Sequence, residues 1–450
     1  MNIAADTARV AEIEAQYADN IRPSWKKTAV PLGIVAIGFV YLVYLFFYFD
    51  IGNIANRWNS ERAALFAVDT YAHKIHADTR WKDTGKYVVT LEGSRFEKYD
   101  EKPAWVRETA EKTHLIDMGD DGEILVAPDH VLMTFLGNAP IRVDRPVDGK
   151  LAAMSEAPLP EWIRVTKNKV EVRPTNFSRV QISKTKVRIF RYFYGWEHFW
   201  FDFNSPLANH SVADAVGSWF EGPQISDKMS NFSLTFHEWW NNTMWLHRDV
   251  WWALLDTLFM AVMGTALAAF LGLPLAFLAA ANLNPIAPMR FALRRLFDAL
   301  RGIDMLIWSL IFIRAFGMGP FSGLLAIAIT DTGTLGKLMS EAIENIDKKP
   351  VEGVQSTGAR PVQRHRFGIV PQIMPLFISQ TLYYLESNTR GAVIIGAMGA
   401  GGIGLQFLGA MRTGNSWENV AYISIIVLAT VMLMDMMSAK LRRKLIGTQR

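Results

Sequence analysis

Twenty consecutive residues, Val30 to Phe49, carry no charge and read VPLGIVAIGFVYLVYLFFYF. A bilayer core takes about 20 apolar residues in helical form to cross, so this run ties the chain to a membrane. Lys26 and Lys27 stand just before it. A cleaved signal peptide starts nearer the terminus and has a shorter apolar stretch. The run is therefore expected to be an uncleaved anchor, residues 30–49, preceded by a cytoplasmic segment, residues 1–29.

Long apolar runs vanish after the anchor and return near Trp251, where WWALLDTLFMAVMGTALAAFLGLPLAFLAA continues to Ala280. The stretch from Met305 to about Met339 is too long for one span. Gly317, Gly319 and Pro320 break it, because Pro cannot continue a helical ladder and Gly weakens one. A fifth span is expected from about Met374 to Gly396 and a sixth from about Val420 to Met437. Arg290, Arg294 and Arg295 lie in one connecting loop; Lys348, Lys349, Arg360, Arg364 and Arg366 lie in another. Lys440, Arg442, Arg443, Lys444 and Arg450 fill the tail, residues 439–450. With the N-terminus inside, all three groups fall on the cytoplasmic side, as the positive-inside rule asks. The core is then 249–438, and both termini are cytoplasmic.

The balance of 47 basic against 43 acidic residues is too even to point to nucleic acid as a partner. There is no cysteine, so disulfides, thiol catalysis and Cys-ligated metal are excluded.

Residues 50–248 have the composition of a soluble domain. Between the first two spans they belong on the outer face, as a β-rich or α+β insertion. Trp162 to Val165 and Val170 to Arg173 alternate around Lys167-Asn168-Lys169, which predicts a hairpin. RVQISKTKVRIFRYFY, Arg179 to Tyr194, alternates as well. Lys184, Lys186, Arg188 and Arg191 suit either a basic face for an anion or a solvated strand face. The aromatics from Trp196 to Phe203, with Trp239, Trp240, Trp245, Trp251 and Trp252, suit either the outer bilayer interface or core packing. The histidines lack metal-ligand spacing.

The long cytoplasmic loop, residues 341–371, reads EAIENIDKKPVEGVQSTGARPVQRHRFGIVP. From Val351 it resembles the EAA loop of ABC importer permeases. That pattern is Glu-Ala-Ala, three residues, Gly, nine residues, then Ile-x-Leu-Pro. Glu352, Gly358 and Pro371 stand at the required spacing. Gly353 and Val354 replace the two alanines, Gly368 the Ile, and Val370 the Leu. The resemblance implies that a short amphipathic helix docks in a cleft of an ATPase, the helix-in-groove mode. Gly358 would make the turn, Glu352 would cap or pair with a basic neighbour, and Pro371 would open the next helix.

From about Leu254 to Gly404 the chain is similar to the phosphonate permeases of this class. The residues that carry it include GPF, LGKL, EAIE and GAGGIG. The resemblance implies a type I ABC importer permease fold of about six spans, a permease homodimer, a paired ABC ATPase dimer, and a periplasmic phosphonate-binding protein. ATP and Mg would sit on the ATPase, with no cofactor or catalytic residue on this chain. Permeases for phosphate, phosphite or an amino acid such as methionine are the alternatives within the class. A membrane sensor is a more distant one.

Ionisable groups inside spans are costly and usually functional. Arg390, with Asn388 and Glu386 before it, is the first candidate for the translocation pathway. Glu386 and Arg390 are four apart, however, and can neutralise each other on one helix face. Asp331 and Arg314 are further candidates, while Arg301 and Asp304 can satisfy each other. Gly399, Gly401, Gly402 and Gly404 lie in GAMGAGGIG, which lacks the Gly-Lys-Ser/Thr ending of a phosphate loop. Small residues at the outer end of a span suit close helix approach near an outer gate.

Overall fold

The structure is a computed structural model and describes residues 25–53, 60–92, 97–146, 151–413 and 417–446. Most of the expected cytoplasmic segment, residues 1–24, lies outside the described residues. So does the end of the basic tail, residues 447–450, with Arg450. The chain divides into two compact units, one ending at Phe66 and one beginning at Ala67.

In the first unit, the apolar run forms α1 (Trp25–Tyr48). Its side chains from Val30 to Phe49 are mostly exposed, as expected of a helix apolar all round and made for lipid. The chain then enters α2 (Ser60–Tyr71), which leads into the second unit.

Among the described residues thirteen strands follow, in two antiparallel sheets. The seven-stranded sheet contains β1 (Ala72–Arg80), β2 (Asp83–Glu92), β3 (Glu97–Lys98), β10 (Ile163–Val165), β11 (Lys169–Val172), β12 (Ser178–Ser183) and β13 (Lys186–Tyr194). Its order is β10-β11-β12-β13-β1-β2-β3. The six-stranded sheet is a meander of β4 (Val106–Ala110), β5 (Thr113–Asp117), β6 (Gly122–Val126), β7 (His130–Phe135), β8 (Ile141–Asp144) and β9 (Ala153–Ser155). The expected hairpin is β10–β11, with Val165 opposite Val170. Period-two alternation gives each sheet a buried face toward the other, while β1 and β13 also bury Ala72, Phe190 and Tyr192 on the opposite face. Val180, Ile182, Val187 and Ile189 from one, and Ile124, Met133, Ile141 and Val143 from the other, meet in one core.

The first strand pairs with the last, Ala72 opposite Tyr194, and the Gly195 N–H donates to the Tyr71 carbonyl. The chain therefore enters and leaves the β domain at one point, as an insertion between helices must. Beyond that point Trp196, Phe199, Trp245 and Tyr422 pack ring to ring. These aromatics are core, whereas Trp252 is exposed.

Two short helices, α3 (Val212–Gly217) and α4 (Asn231–Trp240), precede the helical part. That part comprises α5 (His247–Ala279), α6 (Ala287–Gly302), α7 (Met305–Phe316) and α8 (Pro320–Glu344). It continues with α9 (Lys348–Ser356), α10 (Pro361–Arg364), α11 (Val370–Ile395), α12 (Gly402–Thr413) and α13 (Trp417–Ile446). The break expected at Gly317–Pro320 is the turn between α7 and α8. Helix α8 lies along α5 and α6 through small residues: a Cβ on Gly336 would meet the buried Phe297 ring at 2.5 Å.

Among the described residues three helices, α1, α5 and α13, are long and apolar enough to cross a membrane. A fourth is gained if α11 and α12, bent by 60°, count as one span. The count falls short of six for physical reasons. Helix α7 has 12 residues and reaches about 18 Å, less than the bilayer core of about 30 Å. Helix α8 is long enough, but Thr, Ser, Gly and Asp331 dilute its apolar run.

Candidate coupling loop and membrane polar cluster

The loop between α8 and α11 is built from two short helices and a turn. Asp347 caps α9, its Oδ1 accepting from the Lys349 N–H at 3.0 Å. Helix α9 ends at Ser356, and Gly358 makes the turn at φ +78° with open space where a side chain would stand. Only backbone conformation requires glycine there. Pro371 stands in the first turn of α11, directly after a π-helical turn at His365–Ile369 that joins it to α10. Gly368 lets the backbone of Val351 come close; a Cβ there would sit 3.1 Å from Val351 Cα.

Glu352 departs from the expectation. Its side chain is exposed, and it neither caps a helix nor makes an ion pair among the described residues. The bracing comes from Gln372 instead. Its Oε1 accepts from the Asp347 N–H at 3.1 Å, and its Nε2 donates to the Asp347 carbonyl at 3.2 Å and the Gly368 carbonyl at 2.6 Å. The start of α9 is thus tied to the start of α11, and Glu352 is left open to a partner. The same loop carries an open groove of about 600 Å³ whose lining includes Pro350, Val354, Thr357, Gly358, Gln363 and Phe367. The lining mixes apolar side chains with the polar Thr357 and Gln363, and Glu352 stands outside it.

A second set of polar residues is buried among the helices. Asn388 Nδ2 donates to Asp331 Oδ2 at 2.5 Å and to Thr265 Oγ1 at 2.8 Å. Asp331 is 4% exposed, Asn388 2% and Thr265 2%. The contact ties α8, α11 and α5 together. Of the pathway candidates, Asp331 and Asn388 are brought into touch, and Thr265 joins them. A lone polar position on an otherwise apolar face was its only signal in the sequence.

Arg390 is held differently. Its guanidinium lies 3.4 Å from Glu386 and 3.2 Å from Asp435, and Arg442 lies 3.0 Å from the other oxygen of Glu386. The neutralisation expected within α11 therefore extends to α13, and two arginines face two carboxylates. Arg314 is exposed in the last turn of α7, where a cation suits the helix dipole. The expected Arg301–Asp304 pair is not formed. Arg301 bonds Asp298, and Asp304 caps α7 by accepting from the Leu306 N–H. The basic strand face is engaged as well. Arg188 pairs with Asp78 at 3.1 Å, and Arg191 donates to the Asp117 carbonyl at 2.7 Å.

The glycine run makes the bend between α11 and α12. Gly399, Gly401 and Gly402 have φ of +115°, +83° and +71°, a region side chains avoid. Gly404 packs so closely that a Cβ would lie 1.9 Å from the Val393 carbonyl. Thr257 of α5 accepts from the Ile403 N–H at 2.9 Å, anchoring the start of α12.

Known proteins share this core. Residues 272–446 match the family described as "Binding-protein-dependent transport system inner membrane component". A phosphite transport system permease protein of Stutzerimonas stutzeri is 40% identical over 191 residues, 42% of this chain and 69% of that protein. A phosphate-import permease protein of Mycolicibacterium smegmatis is 36% identical over 196 residues, 44% of this chain and 37% of that protein. A putative cryptic phosphonate transport system permease protein of Escherichia coli is 43% identical over 123 residues, 27% of this chain and all of that protein. The resemblance to phosphonate permeases read from the sequence is borne out by these relatives. The chain belongs to the binding-protein-dependent transport system inner membrane components, the permease subunits of ABC importers.

Proposed function

We propose that this permease moves a phosphorus oxyanion inward by alternating access, driven by ATP hydrolysis on a separate ATPase dimer. Phosphonate is the leading substrate, with phosphite and phosphate as the alternatives. The observation that carries the reading is the braced loop at Glu352 and Gly358, whose exposed carboxylate and open groove suit docking on an ATPase. The relatives' names supply the substrate class. The fuller arrangement has two permease copies, a periplasmic binding protein that delivers substrate, about six spans per copy, an outer β domain and both termini in the cytoplasm. ATP and Mg belong to the ATPase in this arrangement, and the glycine bend near Gly399 to Gly404 to the outer gate.

Reversing the charge at Glu352 tests the coupling. Glu352→Lys is expected to weaken ATPase association about tenfold, equal to about 1.4 kcal/mol, and to depress uptake with it. Unchanged association and uptake would overturn the assignment. Substrate class is tested on the purified complex by asking which loaded binding protein stimulates ATP hydrolysis. Stimulation is expected with a phosphonate, phosphite or phosphate and not with methionine.

A further inference from the structure

A ribbon of aromatic rings runs across the surface of the α3–α4 segment and belongs to neither the coupling loop nor the polar cluster. Phe220 is 82% exposed, Phe232 60% and Phe236 57%. Trp219 links the first two: its ring lies 6.4 Å from Phe220 and 5.0 Å from Phe232. Phe232, Phe236 and Trp240 are spaced i, i+4 and i+8 along α4, one stripe of a helix, and Phe236 stacks on Trp240 at 6.0 Å. The other faces of α4 differ. Asn231 and Leu234 are buried, and Ser233 and His237 are exposed and polar.

Such a stripe in water exposes large apolar rings at a cost of about 25 cal/mol per Å², so something covers it. The continuity of the chain identifies what. Helix α4 is joined to α5 by six residues, Asn241 to Leu246. Trp239 stacks on His247, the first residue of α5, with ring centroids 5.0 Å apart. One turn further along α5, Trp252 is 57% exposed on a helix apolar enough to cross a membrane. The ribbon therefore starts where a membrane-spanning helix begins. It carries Trp and Phe, which favour the boundary between headgroups and acyl chains.

We propose that the aromatic stripe of α4, with Phe220, is a membrane-surface element that rests in the interfacial layer of the phospholipid bilayer. It holds the base of the β domain against the lipid. The proposal rests on α5 crossing the bilayer and is independent of the coupling loop and of the substrate.

The absence of cysteine makes a direct test simple. Single variants Phe220→Cys, Phe236→Cys and, on the polar face, His237→Cys are made in the full chain and labelled with a nitroxide. They are reconstituted with the partner ATPase in vesicles of phosphatidylethanolamine and phosphatidylglycerol. Collision with oxygen and with a water-soluble nickel chelate then reports depth. Labels at 220 and 236 are expected to favour oxygen, at a depth of about 5–10 Å, while the label at 237 favours the chelate. Labels at 220 and 236 open to the chelate would overturn the proposal. So would labels shielded from both reagents, the signature of cover by a second copy or a binding protein. A thermal melting temperature in detergent equal to that of the parent chain confirms that each variant is folded.

Discussion

His114 is wholly buried in the β domain, with Lys102 Nζ 2.9 Å from its Nε2. An ammonium has no lone pair, so Nε2 accepts and the ring is neutral, its proton on Nδ1. Burial first, and the Lys102 charge second, hold its pKa below the ordinary histidine value. Burial also lowers His73 and His198, although Glu197 opposes it at both. Below pH about 6.5 the unfolded chain takes up protons that these native sites resist. The unfolded state then binds more protons, so stability is full above that pH and falls as pH drops toward the folded values. The melting temperature of the β domain is expected to be lower at pH 5.5 than at 7.5. The drop should be smaller in His114→Phe, which removes one of the resisting groups. None of this was legible in the sequence, where His114 sits in an ordinary alternating strand. Its burial depends on Lys102 and on Tyr87, whose ring lies 4.4 Å away across the fold.

Besides their apolar contacts, helices α5, α8 and α11 share one buried amide, Asn388, bonded to both Asp331 and Thr265. Removing the Asp331 carboxylate leaves the buried amide short of an acceptor, at a cost of about 1–3 kcal/mol. Asp331→Ala and Asn388→Ala are each expected to destabilise the helical part. The double variant should lose less than the sum, since each single change already breaks the contact. Thermal unfolding in detergent supplies the cycle, and strict additivity would remove the clamp. At this scale the sequence was informative where a signal is local. The turn at Gly358 and the helix start at Pro371 were readable because both lie on one short stretch with fixed spacing. The break at Gly317–Pro320 was readable for the same reason. Asp331 and Asn388 each stood out as polar positions in apolar helices, yet they are 57 residues apart, and spacing alone does not pair them. The second partner of Arg390, Asp435, was hidden likewise. Glu352 shows the converse: its position was legible, but its expected bracing role belongs to Gln372, whose three bonds are set by how two helix starts approach.

The β domain and the helices share one continuous core, and His247 sits at their junction. It is fully buried, with Nδ1 2.8 Å from the Tyr422 hydroxyl and Nε2 2.7 Å from the Phe199 carbonyl. His247→Ala removes the short bond from each partner and leaves the Phe199 carbonyl with only the 3.4 Å contact from Asn242 Nδ2. Amide exchange is expected to quicken in residues 196–203 and stay unchanged in β5 to β7. Equal exchange throughout would mean that the aromatic rings alone hold the joint. Hairpins of the β domain were foreseeable from alternation, but its closure by β1 on β13 was not, because that register joins residues more than a hundred positions apart. The ladder between α11 and α13 bears on the whole machine in another way. Arg390 and Arg442 face Glu386 and Asp435, two charges of each sign. Moving one elementary charge across a membrane potential costs about 2.3 kcal/mol per 100 mV. A block with no net charge does no such work when it shifts. If these helices rock together, this block of four charges neither gains nor loses energy in the electric field.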